Sequence, residues 1–179
     1  MSGDADRGVL WRGGRPNAAL RFGLRLPAYL YRCGLGWILG HRFLLLVHVG
    51  RRSGRVYYTV LEVILYDPES RESVVLSARG ERADWYRNIE VRPALEVRTD
   101  RECYEPEHRV LCDGEAYAVL TEYAVRHPLA ARVLAAVFGS PEAIRSAAAR
   151  RDLARSVKLV AFRPREVSEP GRRGLRAAR

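Results

Sequence analysis

Between Phe43 and Leu111 most of the chain falls into short segments rich in apolar, β-branched and aromatic residues, closed by turn formers. Segments of this length and composition read as strands. Phe43 to Val49 is an apolar run bounded by Gly50. Val56 to Tyr66 alternates β-branched and aromatic residues before Asp67-Pro68, and Ser73 to Ser77 follows a hairpin-like turn over Asp67–Arg71. Ala94 to Thr99 and Tyr104 to Leu111 flank a turn near Asp100, and Val157 to Phe162 supplies a last strand.

Helical periods occupy the remainder. Asn17 to Tyr31 carries apolar residues at Leu20, Leu24, Pro27 and Tyr31 against Arg21, Arg25 and Arg32, an amphipathic helix with a basic face that ends at Cys33-Gly34. Asp84 reads as the N-cap of a short helix to Glu90, stopped before Pro93. Glu115 to Arg126, Leu129 to Phe138 and Pro141 to Arg155 are further helices. The order predicts an α+β domain: a six-stranded, mostly antiparallel barrel with an N-terminal helix and helices inserted before the last strand.

A length of 179 residues favours one domain, over 17–167, with residues 1–16 and 168–179 as disordered tails. Cys33, Cys103 and Cys112 are odd in number and form no C-x-x-C pair. They read as free, small, buried side chains in a reducing compartment, hence a cytoplasmic protein. No basic-then-apolar leader opens the sequence, and the run Phe43–Val47 is far short of a membrane span.

Charge is unevenly placed: residues 1–55 carry +8, residues 56–125 carry −7 and residues 126–179 carry +9, within a total of +10. Thirty of the 31 basic residues are Arg, which coding bias and solvated faces explain as well as an anionic ligand does. Aromatic residues are not interleaved with Arg in either basic end, so a nucleic-acid stacking surface is not expected. Peripheral contact of the N-terminal basic helix with an anionic membrane stays open.

The strongest local signal is Gly50-Arg51-Arg52-Ser53-Gly54-Arg55 between two strands. Bare turn amides, a hydroxyl and guanidinium forks suit phosphate oxygens, although the same residues also make an ordinary basic hairpin. Ser77-Ala78-Arg79-Gly80 precedes Asp84-Trp85-Tyr86-Arg87-Asn88, where Trp85 and Asn88 share a helix face. Trp85 reads as a wall for a flat cofactor or as core. His41, His48, His108 and His127 have no ligand spacing, so no metal is expected. Glu105 and Glu107 read as a solvated face, and no catalytic residue is identified.

Together, residues 50–55, the Ser-x-x-Gly turn at 77–80, Trp-Tyr-x-Asn at 85–88 and the strand at 93–97 resemble the deazaflavin-dependent nitroreductase family. The resemblance runs from about Phe43 to Val97, with weaker support to about Phe162. It implies a split β-barrel like that of the pyridoxamine-phosphate oxidases. It also implies coenzyme F420, whose reduced ring gives hydride to a quinone, nitro compound or other activated acceptor. Flavin mononucleotide is the alternative ligand, and a non-catalytic coenzyme carrier the alternative function. By position, Arg52, Ser53, Gly54 and Arg55 would hold the phosphate. Ser77, Ala78 and Gly80 would line the deazaflavin, with Trp85, Tyr86 and Asn88 at its edge. Related barrels commonly pair, which implies a homodimer. The chain departs from the family pattern in having His48-Val49 where Thr-Thr is common, and in a shorter stretch before Trp85. No active-site tyrosine helix is recognisable after Arg126, and Tyr117 and Tyr123 receive no role.

Overall fold

The apolar run Phe43–Val49 forms β1, and its middle residues are buried on both faces. The computed structural model describes residues 26–77, 79–137 and 140–166. The further strands are β2 (Val56–Asp67), β3 (Glu72–Ser77), β4 (Glu96–Thr99), β5 (Glu102–Tyr104), β6 (Pro106–Val110) and β7 (Lys158–Pro164). They form one sheet in the order β5-β4-β1-β2-β3-β7-β6, with every pairing antiparallel.

The sheet has seven strands where the sequence pattern predicts six. The segment expected as one strand from Tyr104 to Leu111 divides at Glu105, giving the two edge strands. Pro106 has no N–H to continue a ladder, and the Glu105 carbonyl accepts instead from Arg165 N at 2.9 Å. A single residue thus carries the chain from one sheet edge to the other, and the sheet curls into a nearly closed barrel. A register shift between Val63 and Leu65 bends β2 where it leaves β1 for β3.

Alternation then sorts side chains into two layers. Leu44, Leu46, Leu61, Val63, Val75, Val97, Val160 and Phe162 fill the barrel interior. The opposite face of β2, β3 and β7 gives Ile64, Val74, Leu159 and Ala161 to a helical layer. That layer comprises α3 (Asp113–Arg126), α4 (Pro128–Val137) and α5 (Ala147–Ser156). β7 is buried on both faces, so it reads in sequence as a continuous apolar run.

Among the described residues two further α-helices flank the barrel, and a 3-10 helix over Gly36–Arg42 leads from the first of them into β1. Residues 26–32 form α1, with Pro27 turned inward, Leu26 and Tyr29 exposed, and Gly34 at φ 74° beyond its end. The Tyr31 hydroxyl reaches the Phe43 carbonyl at 2.9 Å, and a Cβ at Gly36 would strike the Tyr31 ring at 2.3 Å. The rest of the expected Asn17–Tyr31 helix, Phe138 and both expected tails lie outside the described residues. α2 (Asp84–Val91) follows a 3-10 turn over Gly80–Arg82 and lays Trp85, Tyr86 and Ile89 into the barrel core.

Three local expectations change. Ala83, not Asp84, occupies the N-cap of α2, and the Asp84 carboxylate serves Arg51 instead. The helix expected from Pro141 to Arg155 is a 3-10 turn over Pro141–Ile144 followed by α5, because Ser146 Oγ caps Ala149 N at 3.3 Å. Cys33, Cys103 and Cys112 are free as expected but exposed rather than buried.

Candidate functional site: an anchored basic turn

Residues 50–55 join β1 to β2 in a turn closed by two backbone bonds. Gly50 N donates to Arg55 O at 2.8 Å, and Gly54 N to Gly50 O at 2.9 Å. Gly54 sits at φ 66°, which favours glycine. Gly50 is required for space: a Cβ there would lie 2.5 Å from the Tyr57 ring and 2.6 Å from Ser53 Oγ. Ser53 Oγ lies 3.1 Å from the Tyr57 hydroxyl and accepts from Arg55 N at 3.3 Å.

The three arginines of this turn divide by burial. Arg51 turns inward. Its backbone N and its Nη1 each donate to Asn88 Oδ1 at 3.0 Å, and Nη1 and Nη2 reach Asp84 Oδ1 at 3.1 and 3.0 Å. Arg52 and Arg55 are exposed, and among the described residues nothing partners their guanidinium groups. One arginine therefore fastens the turn to α2 while two remain available to an anion.

The anchor continues inward. Asn88 Nδ2 lies 3.1 Å from His48 Nδ1, and His48 Nε2 lies 3.0 Å from Thr59 Oγ1. Asn88 is 5% exposed and His48 2%. The Arg51 N–H can only donate, so Asn88 must give it the oxygen, which turns Nδ2 toward His48. His48 Nδ1 must then accept, its proton sits on Nε2, and that proton goes to Thr59. Burial pushes the His48 pKa below its ordinary value, and attraction to Asp84 offsets part of this. Neutral His48 is the form the fold prefers.

The remaining expected site residues lie deeper. Ser77 is fully buried, and its hydroxyl donates to Gly80 O at 2.8 Å, with Gly80 at φ 52°. Ala78 lies outside the described residues. Trp85 is 8% exposed and Tyr86 7%, and Trp85 meets Tyr86 edge-on at 6.0 Å and Phe162 at 6.4 Å. The 77–80 turn joins 50–55 only through α2; among the described residues no hydrogen bond links the two turns directly. Sequence reasoning singled out Arg52, Ser53, Gly54, Arg55 and Asn88 but missed Arg51, His48 and Asp84. Tyr57 and Tyr58 stand exposed immediately after the turn.

Other features separate from this arrangement. A cleft of ≈440 Å³ lies toward the far end of β1, against Tyr31, Trp37, Leu45, Arg98, Arg101 and Cys103. Leu45 is about 17 Å along the strand from Gly50 at ~3.3 Å per residue. The cleft and the 50–55 turn thus lie apart, and the cleft has arginines of its own in Arg98, which pairs with Glu96, and Arg101, which lies over the Trp37 ring. Tyr123 is buried in the helical layer with its hydroxyl on Glu62 Oε1 at 3.1 Å, and Arg151 lies over the Tyr117 ring. Glu105 and Glu107 pair with Arg165 and Arg163 on the surface. Among the described residues no three His, Cys, Asp or Glu side chains converge as metal ligands.

Residues 32–132, which include the 50–55 turn, the 77–80 turn and α2, match the family described as F420H(2)-dependent quinone reductase. The chain belongs to that family. No curated protein matches it. Among solved structures, an F420-H2 dependent reductase (FDR-A) is 13% identical, with 68% of this chain and 93% of that one covered at a TM-score of 0.45. The heme storage protein HutZ of Vibrio cholerae is 15% identical over 76% and 91% of the two chains, with a TM-score of 0.45. A pyridoxamine 5'-phosphate oxidase-related, FMN-binding protein of Nostoc punctiforme is 14% identical over 88% and 83%, with a TM-score of 0.42.

Proposed function

We propose that this oxidoreductase binds reduced coenzyme F420 through the 50–55 turn and serves hydride transfer to a quinone, nitro compound or other activated small-molecule acceptor. One observation carries the reading. Within the family-matched stretch, Arg52 and Arg55 have no acidic partner among the described residues and extend from a turn that Arg51 fastens to α2. The Ser53 hydroxyl joins them in a donor set that fits a phosphate, on a turn that the Gly54 N–H holds closed through Gly50 O. When bound, the coenzyme supplies the hydride, and the protein supplies binding, orientation and exclusion of water. Asn88 acts by holding the turn. Ala78 and Gly80 would line the ring, while Ser77 would hold their turn from within through Gly80 O, and Trp85 and Tyr86 would fix α2 by packing in the barrel core. Exposed Tyr57 and Tyr58 offer flat surfaces beside the turn.

Incubation with F420 followed by gel filtration tests the cofactor, since the bound coenzyme carries its absorbance into the protein peak. Flavin mononucleotide in a parallel sample separates the alternative ligand. Oxidation of reduced F420 in the presence of a quinone separates an enzyme from a carrier of the same fold, and absence of turnover with bound coenzyme supports the carrier.

Assembly and location belong to the same proposal. Helices cover Glu62 and Ile64 on the outer face of β2 but leave Val56 and Tyr58 exposed, a surface suited to pairing with a second copy. Leu26, Tyr29, Leu35, Trp37 and Ile38 are exposed near Arg32, which suits peripheral contact of a cytoplasmic protein with an anionic bilayer. Among the described residues no helix is long and apolar enough to cross a membrane. Light scattering and vesicle co-sedimentation test the two surfaces separately.

A further inference from the structure

We propose that His48 is a positioning residue which, as a neutral imidazole protonated on Nε2, locks the 50–55 turn to α2 and makes its anion affinity dependent on pH. The proposal rests on the cofactor reading above, because the turn is what His48 would position.

The geometry leaves little choice of proton positions. Thr59 from β2 and Asn88 from α2 hold the two ring nitrogens at 3.0 and 3.1 Å. The charged and titratable groups facing His48 are Asp84 of α2, Arg51 of the turn and Tyr57 of β2, whose ring stacks at 6.0 Å. A second proton would sit on Nδ1 and point at the Asn88 amide hydrogens. Relief requires Asn88 to turn over, which withdraws Oδ1 from both Arg51 donors. The backbone N–H of Arg51 then loses its acceptor, and the loop carrying Arg52, Ser53 and Arg55 loosens.

Because the folded pKa of His48 is lowered, locking is complete above the ordinary range of His. It is lost as pH falls through the lowered value. Protonation could add attraction for an anion, but the guanidinium groups of Arg52 and Arg55 already supply that charge. Loss of geometry outweighs it.

Calorimetric titration with F420 from about pH 7.5 down to about pH 5 reads the effect. Wild type should weaken by up to about tenfold per pH unit below the His48 transition, the limit for one proton. His48→Gln offers an acceptor to Asn88 and a donor to Thr59 without titrating, so it should bind at neutral pH and show only the coenzyme's own pH dependence. Nitrogen NMR of the unliganded protein gives an answer that needs no ligand: His48 should carry its proton on Nε2 at neutral pH. A proton on Nδ1 would overturn the proposal, as would an identical acid loss in wild type and His48→Gln. Failure of wild type to bind F420 at any pH would instead overturn the cofactor reading, while the NMR result would still decide the state of His48.

Discussion

Three arginines sit within five residues at 51–55, identical in kind and opposite in use. Arg51 gives its guanidinium to Asp84 and Asn88, whereas those of Arg52 and Arg55 are exposed and find no partner among the described residues. Arg51→Ala should therefore lower both stability and coenzyme affinity. The bonds to Asn88 and Asp84 are charge-assisted, but Asp84 is largely exposed, so the stability loss is about 1–2 kcal/mol. At ~2–4 °C per kcal/mol for a chain of this size, thermal denaturation should register it. An unchanged Tm would mean that the turn holds itself without α2. The composition of the turn was legible in sequence, because glycine, hydroxyl and guanidinium between two strands stand out locally. The uses of Arg51 and His48 were not. Their roles depend on Asp84 and Asn88 meeting the end of β1 across more than thirty intervening residues, and no local pattern encodes that meeting. Trp85 was legible only as a choice between wall and core, and the packing of its ring in the barrel adds what sequence lacked.

Element boundaries followed local chemistry where turn and cap residues were distinctive. β1 runs Phe43–Val49 as its apolar run does, and Gly34 follows the end of α1. Where two signals competed, the stronger local bond decided. Pro106 divides one expected strand into β5 and β6, and Ser146 divides one expected helix into a 3-10 turn and α5. Helical period alone does not register a cap in its interior, which is why Pro141 to Arg155 reads as continuous. Ser146→Ala should cost about 1 kcal/mol, visible as a Tm lower by ~2–4 °C. Ser146→Asp, which can cap equally well, should restore it. Equal melting of all three proteins would show that packing of Leu153 and Ala154, not the cap, fixes where α5 begins.

For the whole molecule, the sheet order closes a barrel whose two ends have different chemistry. One end carries the 50–55 turn and α2. The other gathers Tyr31, Tyr66, Tyr104, His41 and Arg71, with His41 stacked on Tyr66 at 3.7 Å. Burial pushes Tyr31 and Tyr104 up to about 12, with the Asp100 carboxylate adding to the effect at Tyr31 and the Glu102 carboxylate at Tyr104. A folded pKa raised above the unfolded value of about 10 gives stability that is present below pH ~10 and lost as pH rises through the folded value. Absorbance titration should find tyrosines ionising late and together with unfolding. Complete ionisation near pH ~10 in folded protein would contradict this packing. The barrel class was readable from alternating segments and late helices, but its closure was not, because closure depends on the single residue Glu105 passing between edges.

The central claim, that residues 50–55 hold the anionic part of F420, stands or falls on the dissociation constant of the coenzyme for wild type and Arg55→Ala at two ionic strengths. A charge-assisted bond is worth roughly 1.5–3 kcal/mol, and each 1.4 kcal/mol is about tenfold. Arg55→Ala should bind about 10- to 100-fold more weakly, melt like wild type because its guanidinium is exposed and has no partner among the described residues, and lose less affinity on addition of salt. Equal affinity in the two proteins, or no binding by either, would contradict the account and leave the turn as a basic hairpin.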